Sequence, residues 1–157
     1  MECVLNKDEK VYEAHTLLIA VGNTLRNDDG AGWVTAHLVE LNNPAELRII
    51  YVQQLQTELL EQWVKYCRII ITDANANTQT VSLSRLAGSL PENKAMSHHT
   101  DAGLMLALCK TLYGKNPEVW ICSIPGYDFG HGEALSNQTE THVKDAAHMI
   151  LNFLRTI

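Results

Sequence analysis

Two adjacent carboxylates, Asp28 and Asp29, stand in the stretch VGNTLRNDDGAGW (Val21–Trp33), directly after the apolar run TLLIAV and ahead of a helix-like segment. A third, Asp73, closes the run RIIITDA, and Ser97, His98 and His99 sit in the loop that enters another helix-like segment. Carboxylate oxygens with an imidazole nitrogen form a ligand set suited to a borderline divalent ion such as nickel, zinc or manganese. Each residue also has a plainer role: a helix cap for Asp28 or Asp29, a strand-end turn for Asp73, a surface position for His99. The chemical role gains weight because an α/β sheet would bring all of them to one edge, where ligands bind outside the carboxyl ends of the strands.

A strand-to-helix turn with Gly22, Gly30 and Gly32 also invites comparison with phosphate-binding loops. The spacing is not GxGxxG, no GK(S/T) follows, and the second strand ends in Gln53 and Gln54 where a ribose-binding carboxylate would stand. Charge argues the same way. A helix N-terminus favours an anion by about 0.3–1 kcal/mol, up to about 2 in good geometry. Two like unit charges about 4 Å apart cost about 4 kcal/mol at an effective dielectric of 20. The aspartates would repel a pyrophosphate more than the dipole attracts it, so the loop suits a cation.

The elements that must position these groups follow from periodicity. Thr16–Val21, Leu47–Val52, Arg68–Ala74 and Glu118–Ile124 read as buried strands, while Val81, Leu83 and Leu86 alternate with polar residues as in an edge strand. The connection into that edge strand is too short for a crossover, so it should run antiparallel. Between the strands, Trp33, Val34, Leu38 and Leu41 recur at helical spacing. Thr57 can cap a helix with Glu58 and Glu61 in its first turn and Leu59, Leu60, Trp63 and Val64 on its apolar face. A third helix is predicted over Asp101–Tyr113, stopped by Gly114 and Pro117. In the last one Asn137 and Glu140 suit a capping box, and Val143, Ala146, Ala147, Ile150, Leu151 and Leu154 form one stripe. Alternating strands and helices predict a three-layer α/β/α sandwich around a mainly parallel five-stranded sheet with one antiparallel strand. Residues 1–14 have no apolar period and read as a loose leader; residues 15–157 read as a single domain.

At 157 residues, 46% hydrophobic and 19% charged, the chain matches an ordinary soluble globule,. It has no apolar run of ~18 residues for a membrane span. Its first residues are too polar for a secretory signal, which places the protein in the cytoplasm. A net charge of −6 without a basic cluster makes nucleic acid an unsuitable partner,. Cys3, Cys67, Cys109 and Cys122 lack CxxC spacing and read as free buried thiols,. His131 reads as a solvated loop residue at the cleft, and His37, His142 and His148 as helix residues. Ser123 has no GxSxG elbow and Cys122 no sign of activation, which sets serine and cysteine hydrolases aside.

In order and spacing, GNTLRNDDGAG after an apolar strand, then QLQTEL, IIITDA, SHH before a helix, and GHGEALS resemble the nickel–iron hydrogenase maturation endopeptidases. The resemblance spans roughly Thr16 to Leu154. It implies an endopeptidase that removes the C-terminal extension of the hydrogenase large-subunit precursor after nickel insertion, recognising the bound nickel through two carboxylates and a histidine. Carried over by position, Asp29 is the first ligand, Asp73 the second, and His99, third in SxH, the third, preferred over His98 on spacing. The nickel would arrive with the client protein and bind the free protease weakly. A monomer is expected, acting on the precursor. Thr57 stands where the family often has proline, and the leader before His15 is longer than usual. The rival function is a non-catalytic nickel-binding accessory protein of hydrogenase assembly.

Overall fold

The computed structural model describes residues 15–87 and 98–156, with residues 98–101 given by backbone alone. The expected leader, residues 1–14, lies outside the described residues. Five strands make one sheet: β1 (Thr16–Val21), β2 (Leu47–Val52), β3 (Arg68–Asn75), β4 (Ser82–Arg85) and β5 (Glu118–Pro125), in the order β2-β1-β3-β5-β4. β1 pairs in parallel with β2 and β3, β3 pairs in parallel with β5, and β4 runs antiparallel to β5. The helices are α1 (Ala31–Leu41), α2 (Leu60–Trp63), α3 (His98–Tyr113) and α4 (Asn137–Arg155). This is the three-layer architecture expected from the alternation of patterns.

The pleat divides the strand residues into two cores. Leu18, Ala20, Ile70, Ala74, Cys122 and Ile124 face α1 and α4 and bury Ala36, Val39, Val143, Ala146 and Ile150. Leu17, Ile19, Ile69, Ile71, Val119 and Ile121 face α2 and α3 and bury Leu60, Trp63, Ala102, Met105 and Cys109. Central parallel strands are covered on both faces, which is why β1 is apolar throughout apart from Thr16. The α4 stripe of Val143, Ala146, Ala147, Ile150 and Leu151 is buried as its spacing predicts.

Four local expectations need correction. Thr57 does not cap a helix: it is the first residue of a 3-10 turn, Thr57–Leu59, that makes no side-chain cap and leads into a single turn of α2. At α4 the cap lies one residue earlier than Asn137, where the Ser136 hydroxyl accepts from the Thr139 backbone N–H; Thr139 occupies the position a capping box would give to glutamate,. α3 begins at His98, so the histidine pair belongs to its first turn and not to the preceding loop. Finally, Cys67 is disulfide-bonded, whereas Cys109 and Cys122 are free and buried.

Candidate active site

The crossover pattern creates a crevice. The chain leaves β1 for α1 on one face of the sheet, whereas α3, which follows β3 and β4, packs on the other. β1 and β3 are neighbours, so the segments beyond their carboxyl ends part there, at the topological switch point where α/β sheets bind ligands,. Asp29 lies beyond β1 and Asp73 at the end of β3.

Local sequence explains how Asp29 gets there. Gly22 turns the chain out of β1 at φ +142°, and a Cβ at this position would stand 1.9 Å from the Asp29 carbonyl oxygen. A 3-10 turn, Asn27–Gly30, then feeds α1. Gly32 lets the first turn of α1 press on the strand ends: a Cβ there would be 2.5 Å from the Thr72 carbonyl and 2.6 Å from the Val21 carbonyl. The Thr72 hydroxyl completes the seam by donating to the Gly32 carbonyl at 3.1 Å. The half-buried Asp29 carboxylate accepts from the Asn23 backbone N–H at 2.9 Å.

Asp73 is only 5% exposed. Burial first, and the neighbouring Asp29 charge second, push its pKa up from 3.8 to about 8, against a smaller lowering by the Ala74 backbone N–H. The structure therefore brings Asp29 and Asp73 close enough to repel, as the sheet-edge argument requires. A cation between them would relieve both penalties, since it neutralises the repulsion and compensates the desolvated charge. Among the described residues no three His, Cys, Asp or Glu side chains gather closely enough to hold a metal ion. The third expected ligand, His99, has its side chain outside the described residues; its backbone lies in the first turn of α3.

Asp28 points elsewhere. It is fully buried and accepts four hydrogen bonds: from the backbone N–H groups of Tyr127 at 2.8 Å, Asp128 at 3.0 Å and Ser136 at 2.7 Å, and from the Ser136 hydroxyl at 2.8 Å. Burial alone would raise its pKa, but these four donors together hold it below the ordinary carboxylate value. Asp28 is thus a clamp on the segment between β5 and α4, and no cap for the turn that carries it. Further bonds bind the two segments: Asn27 N–H to the Gly132 carbonyl at 2.8 Å, Gly132 N–H to the Leu25 carbonyl at 3.0 Å, and the Arg26 guanidinium to the Phe129 carbonyl at 3.0 Å. Most of these partners are backbone atoms, so residue types gave no sign of them.

The histidines whose side chains are described stay outside the cluster. His131, His37 and His148 are exposed, and His142 pairs with the Tyr127 hydroxyl at 3.0 Å. Cys122 is buried at the middle of β5 and its thiol is pushed up to about 12 by burial, which removes it as a nucleophile,.

No protein-family model and no curated protein matches the sequence. Solved structures do resemble it. A structure titled hydrogenase maturating endopeptidase HybD from E. coli superposes with a TM-score of 0.72 at 21% identity, over 90% of this chain and 93% of that one. A NiFe hydrogenase maturation protease HybD from Thermococcus kodakarensis gives 0.68 at 21% identity, over 89% and 99%. A NiFe hydrogenase maturation protease HycI from Thermococcus kodakarensis KOD1 gives 0.68 at 16% identity, over 90% and 93%. The chain shares their fold over about nine-tenths of its length.

Proposed function

We propose that this chain is a maturation endopeptidase of the nickel–iron hydrogenase type, which removes the C-terminal extension of the large-subunit precursor once nickel has been inserted. The observation that carries this reading is the pair Asp29 and Asp73, two carboxylates close enough to repel at the switch point of a fold shared with proteins titled hydrogenase maturation proteases. The motif order in the sequence supports the same family. No helix among the described residues is long and apolar enough to cross a membrane.

In this reading the nickel belongs to the substrate. Without it Asp73 holds a proton at neutral pH, because the alternative is a buried carboxylate facing Asp29,. A nickel-loaded precursor presents the divalent charge that makes the ionised pair favourable, with His99 as the third ligand. An empty precursor brings no charge to favour ionisation of Asp73, which keeps its proton, so it gains little from binding the pair,. Recognition and the check for nickel then become a single electrostatic event. Peptide hydrolysis would follow either by polarisation of the scissile carbonyl or through a water of lowered pKa, with a carboxylate or the histidine moving the proton.

The test is to incubate the purified protein with nickel-loaded and nickel-free precursor and weigh the products. Only the loaded form should lose its C-terminal extension, and Asp29→Asn, Asp73→Asn and His99→Ala should each abolish trimming while the domain stays folded. Wild-type rates in all three variants would refute the site. Tight binding without trimming would make the chain a nickel-carrying accessory protein.

A further inference from the structure

We propose that Asp28 is a positioning residue for Asp29: by clamping the segment 126–136 against the segment 22–30, it fixes the turn from which Asp29 reaches the site. The inference rests on the reading of Asp29 as the group that engages the substrate's ion. Its own basis is geometric.

Asp28 and Asp29 are consecutive residues of one short turn, and their side chains serve opposite sides of it. Asp29 is held by the Asn23 N–H on its own segment and acts on Asp73. Asp28 reaches 99 to 108 residues along the sequence to take four donors from the far segment. The turn itself has few internal ties: Asp29 N–H to the Arg26 carbonyl at 3.0 Å, and Ala31 N–H to the Asp28 carbonyl. Its Asn27 sits at φ +47°, a left-handed conformation that asparagine tolerates but that needs support from outside the turn,. That support comes from the far segment: Asn27 N–H and Asp28 N–H donate to the carbonyls of Gly132 and Asp128. The segment is in turn gathered by Asp28, because two of its backbone N–H groups and both the N–H and hydroxyl of the α4 cap converge on one carboxylate.

Asparagine cannot replace that carboxylate. Its amide offers one acceptor oxygen with two lone pairs, and its NH₂ would face donors. Three of the donors meet one carboxylate oxygen and the Ser136 N–H meets the other, so whichever way the amide turns at least one donor loses its acceptor and faces an N–H inside a closed contact,. Asp28→Asn should therefore loosen the far segment and, through it, the placement of Asp29, while both sheet cores stay intact.

The Asn23 amide reports this directly, since it donates to Asp29. Hydrogen exchange followed by NMR on the full chain should show the Asn23 amide exchanging about tenfold faster or more in Asp28→Asn, while the Ile70 and Ile121 amides keep wild-type rates. With nickel-loaded precursor the same variant should raise KM about tenfold and leave kcat within about twofold, because the interaction lost is one made on binding. Unchanged Asn23 exchange in folded Asp28→Asn overturns the inference, as does a wild-type KM. Should Asp28→Asn fail to fold, Ser136→Ala, which removes one of the four donors, decides: about threefold faster Asn23 exchange supports the clamp, and no change overturns it. Failure of wild-type protein to trim any precursor would sink the proposed function, while Asn23 exchange would still judge the role of Asp28.

Discussion

Replacing Asp73 by asparagine should stabilise the metal-free protein at neutral pH and flatten the dependence of its stability on pH. The folded-state pKa of about 8 lies above the ordinary value of 3.8. Below 3.8 the group is protonated in both states and costs nothing. As pH rises from there the unfolded chain sheds the proton while the folded one keeps it, so stability falls by about 1.4 kcal/mol per pH unit until the folded group ionises near pH 8,. At pH 7 the accumulated loss is about 4 kcal/mol, against about 1 kcal/mol at pH 4.5. Asparagine has the same shape and does not titrate, so the variant escapes the loss. Urea unfolding of both proteins between pH 4.5 and 8, with a chelator present, measures the difference directly. With a slope of about 2 kcal/mol per molar urea, the midpoint of Asp73→Asn should lie about 2 M above wild type at pH 7 and converge with it towards acid. Every other carboxyl titrates in both proteins and cancels. Parallel curves across the pH range would show that Asp73 is ionised in the folded state and would remove the electrostatic basis of the site. Asp29→Asn should recover a smaller part of the same stability, because burial, the larger cause, remains.

The two carboxylates Asp28 and Asp73 should titrate on opposite sides of the ordinary value. Side-chain carboxyl carbon shifts followed by NMR should place Asp28 below 3.8 and Asp73 well above it. For Asp28 the sign is reversed: its contribution to stability is present above 3.8 and fades as pH falls through the lower folded value,. Gly32→Ala should lower stability by roughly 1–3 kcal/mol or more, since the new methyl meets two strand carbonyls that cannot turn aside,. A thermal melt reads this, and an unchanged melting temperature would contradict the close seam between α1 and the strand ends.

Strands were legible because burial on both faces writes itself as an unbroken apolar run. Thr16–Val21 and Leu47–Val52 match their predicted limits, and β3 and β5 each extend one residue further. Helix entrances were less legible, since several residue types can cap and packing chooses among them. At α4 the hydroxyl of Ser136 also binds Asp28, and that second partner favours it over Asn137. The pair Asp29 and Asp73 could be found because strand ends in a parallel sheet share an edge whatever fills the loops. The role of Asp28 could not, because its donors are mainly backbone N–H groups supplied by a segment about a hundred residues away.

The span between Asp28 and Ser136 has a consequence during synthesis. A ribosome adding about 5–20 residues per second needs on the order of 5 to 20 s to advance the 108 positions from Asp28 to Ser136,. Throughout that interval the nascent chain exposes Asp28 and Asp29 without the contacts that shape their turn. The corner that carries Asp29 is therefore a late product of folding, completed only when the segment that leads into α4 has left the ribosome.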